Sequence, residues 1–322
     1  MARARFSVVL RWMWGWALAW ACGASPAWAG CERPWQPLAP GVWVWAPPQV
    51  AEVSAANAGF VAPVTALVDG GQALVIDPGP SLAQGRRVRQ AVACQLRARV
   101  VAVVNTHAHA ENVLGNAAFA DVVRRYATAP TAQAMADRCP QCLQSLIERV
   151  GAAPMAGTHI VLPTHVLKAG DTLRVGAHRV QVWAVEAGHT EGDLVLWMPR
   201  TRTLWVGGLA YQGRVPELAQ GRLDSWALAL DRLMVLPARA VVSTVVSSAT
   251  SPGGAQGAMA DTHAYLLALR ERVWAAMDAG GTPHDAQALA VPWAGAWVGY
   301  KARHGFNAQR AWRELEPGWM AR

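Results

Sequence analysis

Apolar runs broken by turn residues recur along the chain, and their lengths predict an α/β protein. In the first half, strand-like runs flank a cationic amphipathic stretch, residues 81–96, which predicts a helix with Ser81 as its N-cap. The predicted strands there lie at residues 41–45, 60–68, 72–76 and 100–104. Residues 131–150 are helical in composition, and Gly151 begins the break that follows them.

Shorter strands separated by turn residues predict a second, antiparallel sheet. These strands lie at residues 160–162, 172–175, 180–185, 193–198 and 203–206. Predicted helices at residues 223–236 and 261–279 surround a further buried strand at residues 240–246, and two helical pieces end the chain. A strand-rich half with its own helices thus occurs twice, which predicts an α/β sandwich of two sheets covered by helices on the outside.

One polar segment directly after a buried strand carries the candidate chemistry. The β-branched run at residues 100–104 ends at Asn105 and Thr106, and His107 and His109 follow two residues apart. In extended backbone this spacing places both imidazoles on the same side, as two ligands of one metal ion require. A strand that delivers polar side chains into a loop before a helix is a common way for an α/β protein to build a site.

Residues 107–112 resemble the His-x-His-x-Asp-His signature of metallo-β-lactamase-fold hydrolases. His107 and His109 agree with this signature, whereas Glu111 stands in place of the aspartate and Asn112 in place of the last histidine. The resemblance implies an α/β fold of four layers, the αβ/βα sandwich of metallo-β-lactamase type. It also implies that His107 and His109 bind a metal ion.

A second segment, residues 187–193, resembles the family's Gly-His-Thr-x-Gly-Asp segment. Its histidine, His189, would be the third ligand of the first metal site, and a tetrahedral position would remain for water, as a catalytic zinc requires. A single histidine near strands is more often structural than a ligand, but two motifs in the family's order reverse that expectation. Asp193, at the end of the segment, is expected to orient the loop that carries His189.

Ligands for a second metal ion are missing from the sequence. Residues 204–209 resemble a family stretch that ends Gly-Asp-Leu, and Gly208 occupies the place of the bridging aspartate. Val245 falls where the family's last histidine would stand, and Asn112 removes another second-site ligand. These differences disfavour a two-metal mechanism, so the sequence predicts one Zn²⁺ ion or none.

The sequence therefore predicts an exported hydrolase that uses a single zinc-bound water on a small-molecule substrate of unknown identity. Glu111 is the candidate catalytic residue, because it would orient that water or accept its proton. The alternative is that Glu111 is a first-turn helix residue that interacts with the helix dipole, and both interpretations stay open. Arg214 is a candidate contact for an anionic substrate, although a surface ion pair is the favoured interpretation.

Two further residues are candidates to support the metal ligands. Asp77 closes the strand predicted at residues 72–76 and precedes Pro78. A carboxylate in this place is usually a turn-former that accepts backbone N–H bonds, and residue preference favours that role. In the resembled family an aspartate here braces the histidine loop, so Asp77 is also a candidate for that function. Asn112 is a second candidate support.

Within the superfamily, the chain is most similar to exported proteins called quinoprotein relay system zinc metallohydrolases. The stretches that carry this resemblance are residues 139–142, 188–194, 213–216 and 306–312. These proteins are named for an association with quinone-cofactor dehydrogenases. With Gly208 and Val245 at ligand positions, the alternative function is that of a degenerate, non-catalytic member that binds or assembles a periplasmic dehydrogenase of this kind.

The first 29 residues have the features of an export signal. Arg3, Arg5 and Arg11 form a basic region, residues 12–22 are apolar, and residues 27–29 read Ala-Trp-Ala. An uncleaved membrane anchor is disfavoured because the apolar run is short for a span, and a lipoprotein signal ending at Cys31 is disfavoured by Trp28. We therefore expect residues 30–322 to be one periplasmic or secreted domain with a C-terminal helical extension and no membrane span.

Charge and cysteines narrow the expected partners and compartment. The formal net charge is +8 for the whole chain, and subtracting the three leader arginines gives +5. No run of Lys or Arg with interleaved aromatic residues occurs, which argues against nucleic acid as a partner.

Four cysteines remain after the leader and allow three pairings. The favoured pairs are Cys31 with Cys94 and Cys139 with Cys142. A redox role for Cys139 and Cys142 is the less favoured alternative, because they lie within a predicted helix.

Overall fold

Two β-sheets stack face to face in the structure, a computed structural model that describes residue 1 and residues 31–321. The predicted signal peptide, residues 1–29, lies outside the described residues apart from Met1, so the division into a leader and one mature domain stays a prediction. The first sheet contains, in both chain and spatial order, β1 (Gln36–Ala39), β2 (Val42–Trp45), β3 (Val64–Asp69), β4 (Gln72–Ile76), β5 (Arg99–Val104), β6 (Arg124–Ala127) and β7 (His165–Val166). Strands β1 to β4 are antiparallel neighbours, whereas β4 to β7 run parallel.

The second sheet is antiparallel except at one pair of strands. It contains β8 (Thr172–Val175), β9 (His178–Val185), β10 (Asp193–Met198), β11 (Thr203–Gly207), β12 (Ala240–Ser243) and β13 (Val246–Ser248). Their spatial order is β13-β12-β11-β10-β9-β8, and β11 and β12 are the parallel pair. The helix between β11 and β12 makes this parallel pairing possible, since parallel neighbours need a crossover connection.

Helices cover the outer faces of both sheets. The helices of the described residues are α1 (Leu82–Gln95), α2 (Ala110–Val113), α3 (Ala129–Val150), α4 (Ala152–Met155), α5 (Leu223–Met234), α6 (Gly257–Asp278) and α7 (Tyr300–Met320), of which α2, α3 and α4 pack in separate apolar clusters beside the sheets. Val88 of α1 packs with Val75 of the first sheet. Leu230 of α5 and Leu266 of α6 pack with Leu204 of the second sheet. Because each helix buries one apolar stripe, its polar side faces solvent.

The two sheets bury a common core between their inner faces. In β4, Leu74 and Ile76 point into this core, whereas Val75 points to the helical side, as the two-residue period of a strand requires. Leu194 and Leu196 of β10 meet them from the second sheet. Helix, sheet, sheet and helix thus form four layers, which confirms the predicted sandwich.

Three predicted strands differ from the structure. The strand predicted at residues 60–68 begins only at Val64, after Pro63. Residues 160–162 are not a strand; pairing with β6 begins only at His165, after Pro163. Proline has no backbone N–H to donate to a neighbouring strand, which explains the delay. The single strand predicted at residues 240–246 is instead the pair β12 and β13, joined by a turn in which the Ser243 N–H donates to the Val245 carbonyl.

The cysteine pairs have different states. Cys31 and Cys94 form a disulfide that ties the N-terminal segment to α1, with the predicted pairing. Cys139 and Cys142 are free thiols within α3, so the prediction of a disulfide between them is wrong. Side chains three residues apart on a helix have Cβ atoms about 5–6 Å apart, whereas a disulfide needs about 3.5–4.5 Å. Burial also raises the pKa of the Cys139 thiol to about 12, which keeps it protonated.

None of the helices in the described part of the chain combines the length and the apolar character that a membrane span needs.

Candidate metal centre

The candidate site lies where several strands end at one edge of the sandwich. Asp77 follows β4, Thr106 and His107 follow β5, and the loop between β9 and β10 carries His189. Neighbouring parallel strands bring their carboxyl ends to the same edge of a sheet. The backbone N–H of Leu194 donates a 2.7 Å hydrogen bond to the carbonyl of Thr106, which joins the histidine loop of the first sheet to the second sheet.

Asp77 braces the residue that precedes the first histidine. Its Oδ1 accepts the Thr106 backbone N–H at 2.8 Å and its Oδ2 accepts the Thr106 hydroxyl at 2.6 Å. Both oxygens therefore bond to the histidine loop and not to the turn that Asp77 itself begins. Burial raises the pKa of Asp77 to about 7, although the two bonds from Thr106 oppose this shift. Asp77 also has a positive φ of 51°, an uncommon conformation for a residue with a side chain.

His107 is buried and held in one tautomer. Its Nδ1 lies 2.9 Å from the Thr106 hydroxyl, whose single proton goes to Asp77, so the hydroxyl accepts the Nδ1–H of His107. The lone pair on Nε2 then faces the site, where the Asn112 side-chain amide lies 3.0 Å away. Burial, together with the charge of His109, lowers the pKa of His107 well below 6.5, so the imidazole is neutral.

His189 is fully buried and is oriented in the same way. The loop that carries it is fixed by Asp193, which accepts the Thr190 backbone N–H at 2.9 Å and its hydroxyl at 2.8 Å. The Nδ1–H of His189 donates to the carbonyl of Glu217 at 3.1 Å, which leaves the Nε2 lone pair directed inward. Burial lowers the pKa of His189 well below 6.5, and the charges of the neighbouring histidines add to this effect.

The three histidines converge on one point. One ring nitrogen from each of His107, His109 and His189 lies within 4.8 Å of the others, and His109 Nδ1 is 3.1 Å from His189 Nε2. Across the described residues, this is the one group of three or more His, Cys, Asp or Glu side chains that meets this distance. Imidazole nitrogens that converge in this way are a donor set that zinc prefers, so the residues present fit one such ion.

Gly208, where the bridging aspartate was expected, packs directly against this group. A Cβ atom at position 208 would lie 2.2 Å from Cδ2 of His189 and 3.0 Å from Nε2 of His107. Val245 lies in the turn after β12, where its backbone N–H donates to the Ser243 hydroxyl at 3.3 Å, and its apolar side chain offers no metal ligand. The geometry therefore offers side-chain ligands for one ion at this edge.

Comparison with known proteins gives the family. The family model described as the metallo-beta-lactamase superfamily matches residues 57–244, more than half of the chain and including all three histidines. The chain belongs to the metallo-β-lactamase superfamily. A hydroxyacylglutathione hydrolase from Synechococcus sp. (strain JA-3-3Ab) is 29% identical over 143 residues, which are 44% of this chain and 48% of that protein. The chain thus matches about half the length of this curated relative.

Solved structures of superfamily members share the fold at low sequence identity. A metallo-β-lactamase from Pontibacter korlensis aligns with a TM-score of 0.57 and 20% identity, covering 72% of this chain and 98% of that protein. The metallo-β-lactamase IND-7 aligns with a TM-score of 0.51 and 19% identity, covering 64% and 86% of the two chains. The sandwich is therefore that of the superfamily, while the assignment to quinoprotein relay proteins stays a prediction.

Glu111 lies beside the second histidine of this superfamily site. Its Oε1 is 3.9 Å from His109 Nδ1, and its side chain is 19% exposed. It is also in the first turn of α2, as the alternative interpretation expected. The position of Glu111 therefore fits both interpretations, and its catalytic role stays a prediction.

Tyr211 is a site residue that the sequence analysis missed. Its side chain is almost fully buried, and its hydroxyl lies 3.4 Å from His189 Nε2. Burial raises the pKa of Tyr211, so the hydroxyl keeps its proton at neutral pH. The available signal was its position three residues after Gly208, at the carboxyl end of β11, where the superfamily places ligands.

A cleft of ≈ 310 Å³ opens beside His109 and Glu111. Its charged walls include Arg214, which is 5% exposed and donates to Glu52 at 3.1 Å. The ion pair expected for Arg214 is therefore present, but it is buried and not on the surface. Glu52 also pairs with Arg303, and these residues come from distant parts of the chain that no local pattern connects.

Proposed function

We propose that this superfamily member is an exported hydrolase that uses one zinc ion and acts on a small molecule. The observation that carries the proposal is the convergence of ring nitrogens from His107, His109 and His189, two of which are buried and neutral. The Cys31–Cys94 disulfide supports export, because such bonds persist in oxidising compartments. The absence of side-chain ligands at Gly208 and Val245 supports a single ion.

Each neighbouring residue has a role in this proposal. A zinc ion held by His107, His109 and His189 would supply a Lewis acid and would lower the pKa of a bound water to about 7. Glu111, next to His109, accepts the proton that a water molecule loses when it attacks a carbonyl carbon. Tyr211 stays protonated and donates a hydrogen bond to an oxygen that gains negative charge. Asp77, through Thr106, fixes the orientation of His107.

Metal content of the protein as purified is the decisive test. We expect about one equivalent of zinc in the full chain and a loss of bound zinc in His189→Ala, because one of three ligands is removed. His159→Ala is the matched control, since His159 is exposed and lies outside the three-histidine group. Circular dichroism would show that both variants are folded. Protein that is metal-free and cannot be reconstituted with zinc would refute the proposal.

The alternative is a non-catalytic member that binds a periplasmic quinone-cofactor dehydrogenase, and one contact favours the metal-free state that it implies. The amide of Asn112 lies 3.0 Å from Nε2 of His107, where it satisfies the lone pair that a metal would use. This alternative predicts metal-free protein, a dehydrogenase that co-purifies with it, and normal function of a His107→Ala variant in cells. Loss of function in that variant would count against it. An Asn112→Ala variant that gains zinc would show that the amide competes with the metal.

A further inference from the structure

Arg149 has the least neutralised charge in the cleft beside the three histidines. It lies in the last turn of α3, and its side chain is 47% exposed. Among the described residues its one ionic neighbour is Glu52, with Nη2 of Arg149 3.8 Å from Oε2 of Glu52. This distance is longer than a hydrogen bond, so the guanidinium donors remain open to a ligand.

The neighbouring carboxylates are already committed to other arginines. Glu52 accepts from Arg214 at 3.1 Å and also pairs closely with Arg303. Arg303 pairs in addition with Glu217. Three arginines, Arg149 among them, thus share two carboxylates, which leaves one positive charge in excess within this set of ion pairs. The longest contact in this set is the one to Arg149, so the excess charge is at Arg149.

The fourth arginine of the cleft is neutralised separately. Both terminal nitrogens of Arg138 donate to Glu191, in the paired geometry that is strongest for a guanidinium and a carboxylate. Arg138 therefore has little charge left for a ligand, and the excess at Arg149 is not part of a broad basic patch.

A second polar group of the cleft also has no partner. The Oε1 atom of Gln220 is buried and makes no hydrogen bond within the described residues. Buried polar atoms are nearly always paired, so this unpaired oxygen is an exception among the described residues. Gln220 and Arg149 line the same cleft as His109.

Size and charge define the ligand more closely. The cleft of ≈ 310 Å³ is at the small end of the range for small-molecule sites. Glu111, which pairs with no arginine among the described residues, also lines it, and its carboxylate would repel a dianion more strongly than a monoanion. A planar carboxylate matches the two-donor fork of a guanidinium.

We propose that the substrate is a small monoanion whose carboxylate is bound by Arg149, at a distance from the carbonyl group that is hydrolysed. This inference rests on the proposed function, since it assigns the recognition element of the same site. Arg149 is a specificity residue in this view, and Arg214 holds Glu52 in place.

A pair of aryl esters tests this assignment with the zinc-loaded full chain. Mono-4-nitrophenyl glutarate has a free carboxylate, whereas 4-nitrophenyl acetate is neutral; in both, water adds to the ester carbonyl and 4-nitrophenolate leaves. We expect kcat/KM to favour the anionic ester by about tenfold, the lower range for a charge-assisted bond, since Arg149 is half exposed. Arg149→Gln is expected to bring the ratio close to one, and Arg149→Lys to give an intermediate ratio.

The control is Arg272→Gln, which removes an equal charge from an exposed helical position on α6 and should leave the ratio unchanged. Equal rates for the two esters in the wild-type chain would overturn the inference and leave the proposed function intact.

Calorimetry with the monoanion glutaramate, the neutral glutaramide and inorganic phosphate gives a readout that does not depend on hydrolysis. We expect glutaramate to bind the wild-type chain and to bind Arg149→Gln about tenfold more weakly. If neither ester is hydrolysed but glutaramate still binds in this way, the carboxylate site stands and the proposed function fails. Binding of glutaramide as tight as glutaramate, or of phosphate tighter than glutaramate, would overturn the carboxylate assignment.

Discussion

A methyl group at position 208 is expected to damage the three-histidine group, although no ligand is removed. In Gly208→Ala, the new Cβ would lie 2.2 Å from Cδ2 and 2.7 Å from Nε2 of His189, and 3.0 Å from Nε2 of His107. Ordinary contacts of a Cβ begin near 3.4 Å, so the His189 ring has to withdraw by about an ångström. Gly208 does not have a positive φ, so the effect comes from space and not from backbone strain.

The size of the effect follows from the packing around His189. The His189 ring cannot move without losing packing contacts, because it is fully buried. Its ring centroid lies 5.2 Å from that of Trp226 and 5.8 Å from that of Tyr211. Inserting a methyl group into a packed core costs about 1–3 kcal/mol. If that cost is relieved by moving His189 out of the ligand position, zinc affinity falls by about 5- to 150-fold. Gly208→Asp should lower zinc affinity at least as much, because its side chain is larger, and it should not create a second metal site.

Competition with a zinc-sensitive dye would measure the affinity, and metal analysis would count the ions. Gly318→Ala is the matched control, because a Cβ there meets nothing within 4 Å. Thermal unfolding of both variants would separate weaker binding from a general loss of structure. Undiminished zinc affinity in Gly208→Ala, or two equivalents of zinc in Gly208→Asp, would refute the reasoning.

Two further predictions concern pH and the disulfide. Burial lowers the pKa of His107 and His189 well below 6.5, so protons should displace zinc only well below that pH. Dialysis at about pH 5.5 should therefore leave the ion bound. Release of half the zinc near pH 6.5 would contradict this prediction. In the metal-free chain, these lowered values contribute stability that is present above pH 6.5 and lost as the pH falls. Cys31 and Cys94 are 63 residues apart, and replacing both by serine should lower the free energy of unfolding by about 4 kcal/mol in denaturant titrations. Cys142→Ser should not lower it. Equal unfolding midpoints for the wild-type chain and the double serine variant would contradict the prediction.

Local patterns in the sequence were sufficient for the first two histidines. A β-branched strand followed by His107 and His109 has a clear period, and the structure places their ring centroids 4.9 Å apart. His189 has no such local signal, since it is 80 residues from His109, and only the resemblance to a family segment identified it. The layers of the fold were predictable because both sheets alternate inner and outer apolar positions along their strands.

Other parts of the site depend on contacts that the sequence does not encode locally. Glu52 and Arg303 are 251 residues apart, and neither has a neighbour in the sequence that indicates a shared cleft. Asp77 is a similar case. Its residue type and the proline after it indicated a turn, whereas its side-chain oxygens accept hydrogen bonds from Thr106, 29 residues away. Cys139 and Cys142 show the opposite error, because proximity in sequence indicated a bond that helical geometry prevents.

The histidines come from different sheets, and this gives a bound ion a mechanical role. His107 and His109 follow a strand of the first sheet, whereas His189 precedes a strand of the second. At this edge the backbone bond from Leu194 to Thr106 crosses between the two halves. An ion bound by all three imidazoles would cross-link the two sheets at this edge. Loss of the ion would therefore destabilise this end of the sandwich first, while the disulfide at α1 stays intact.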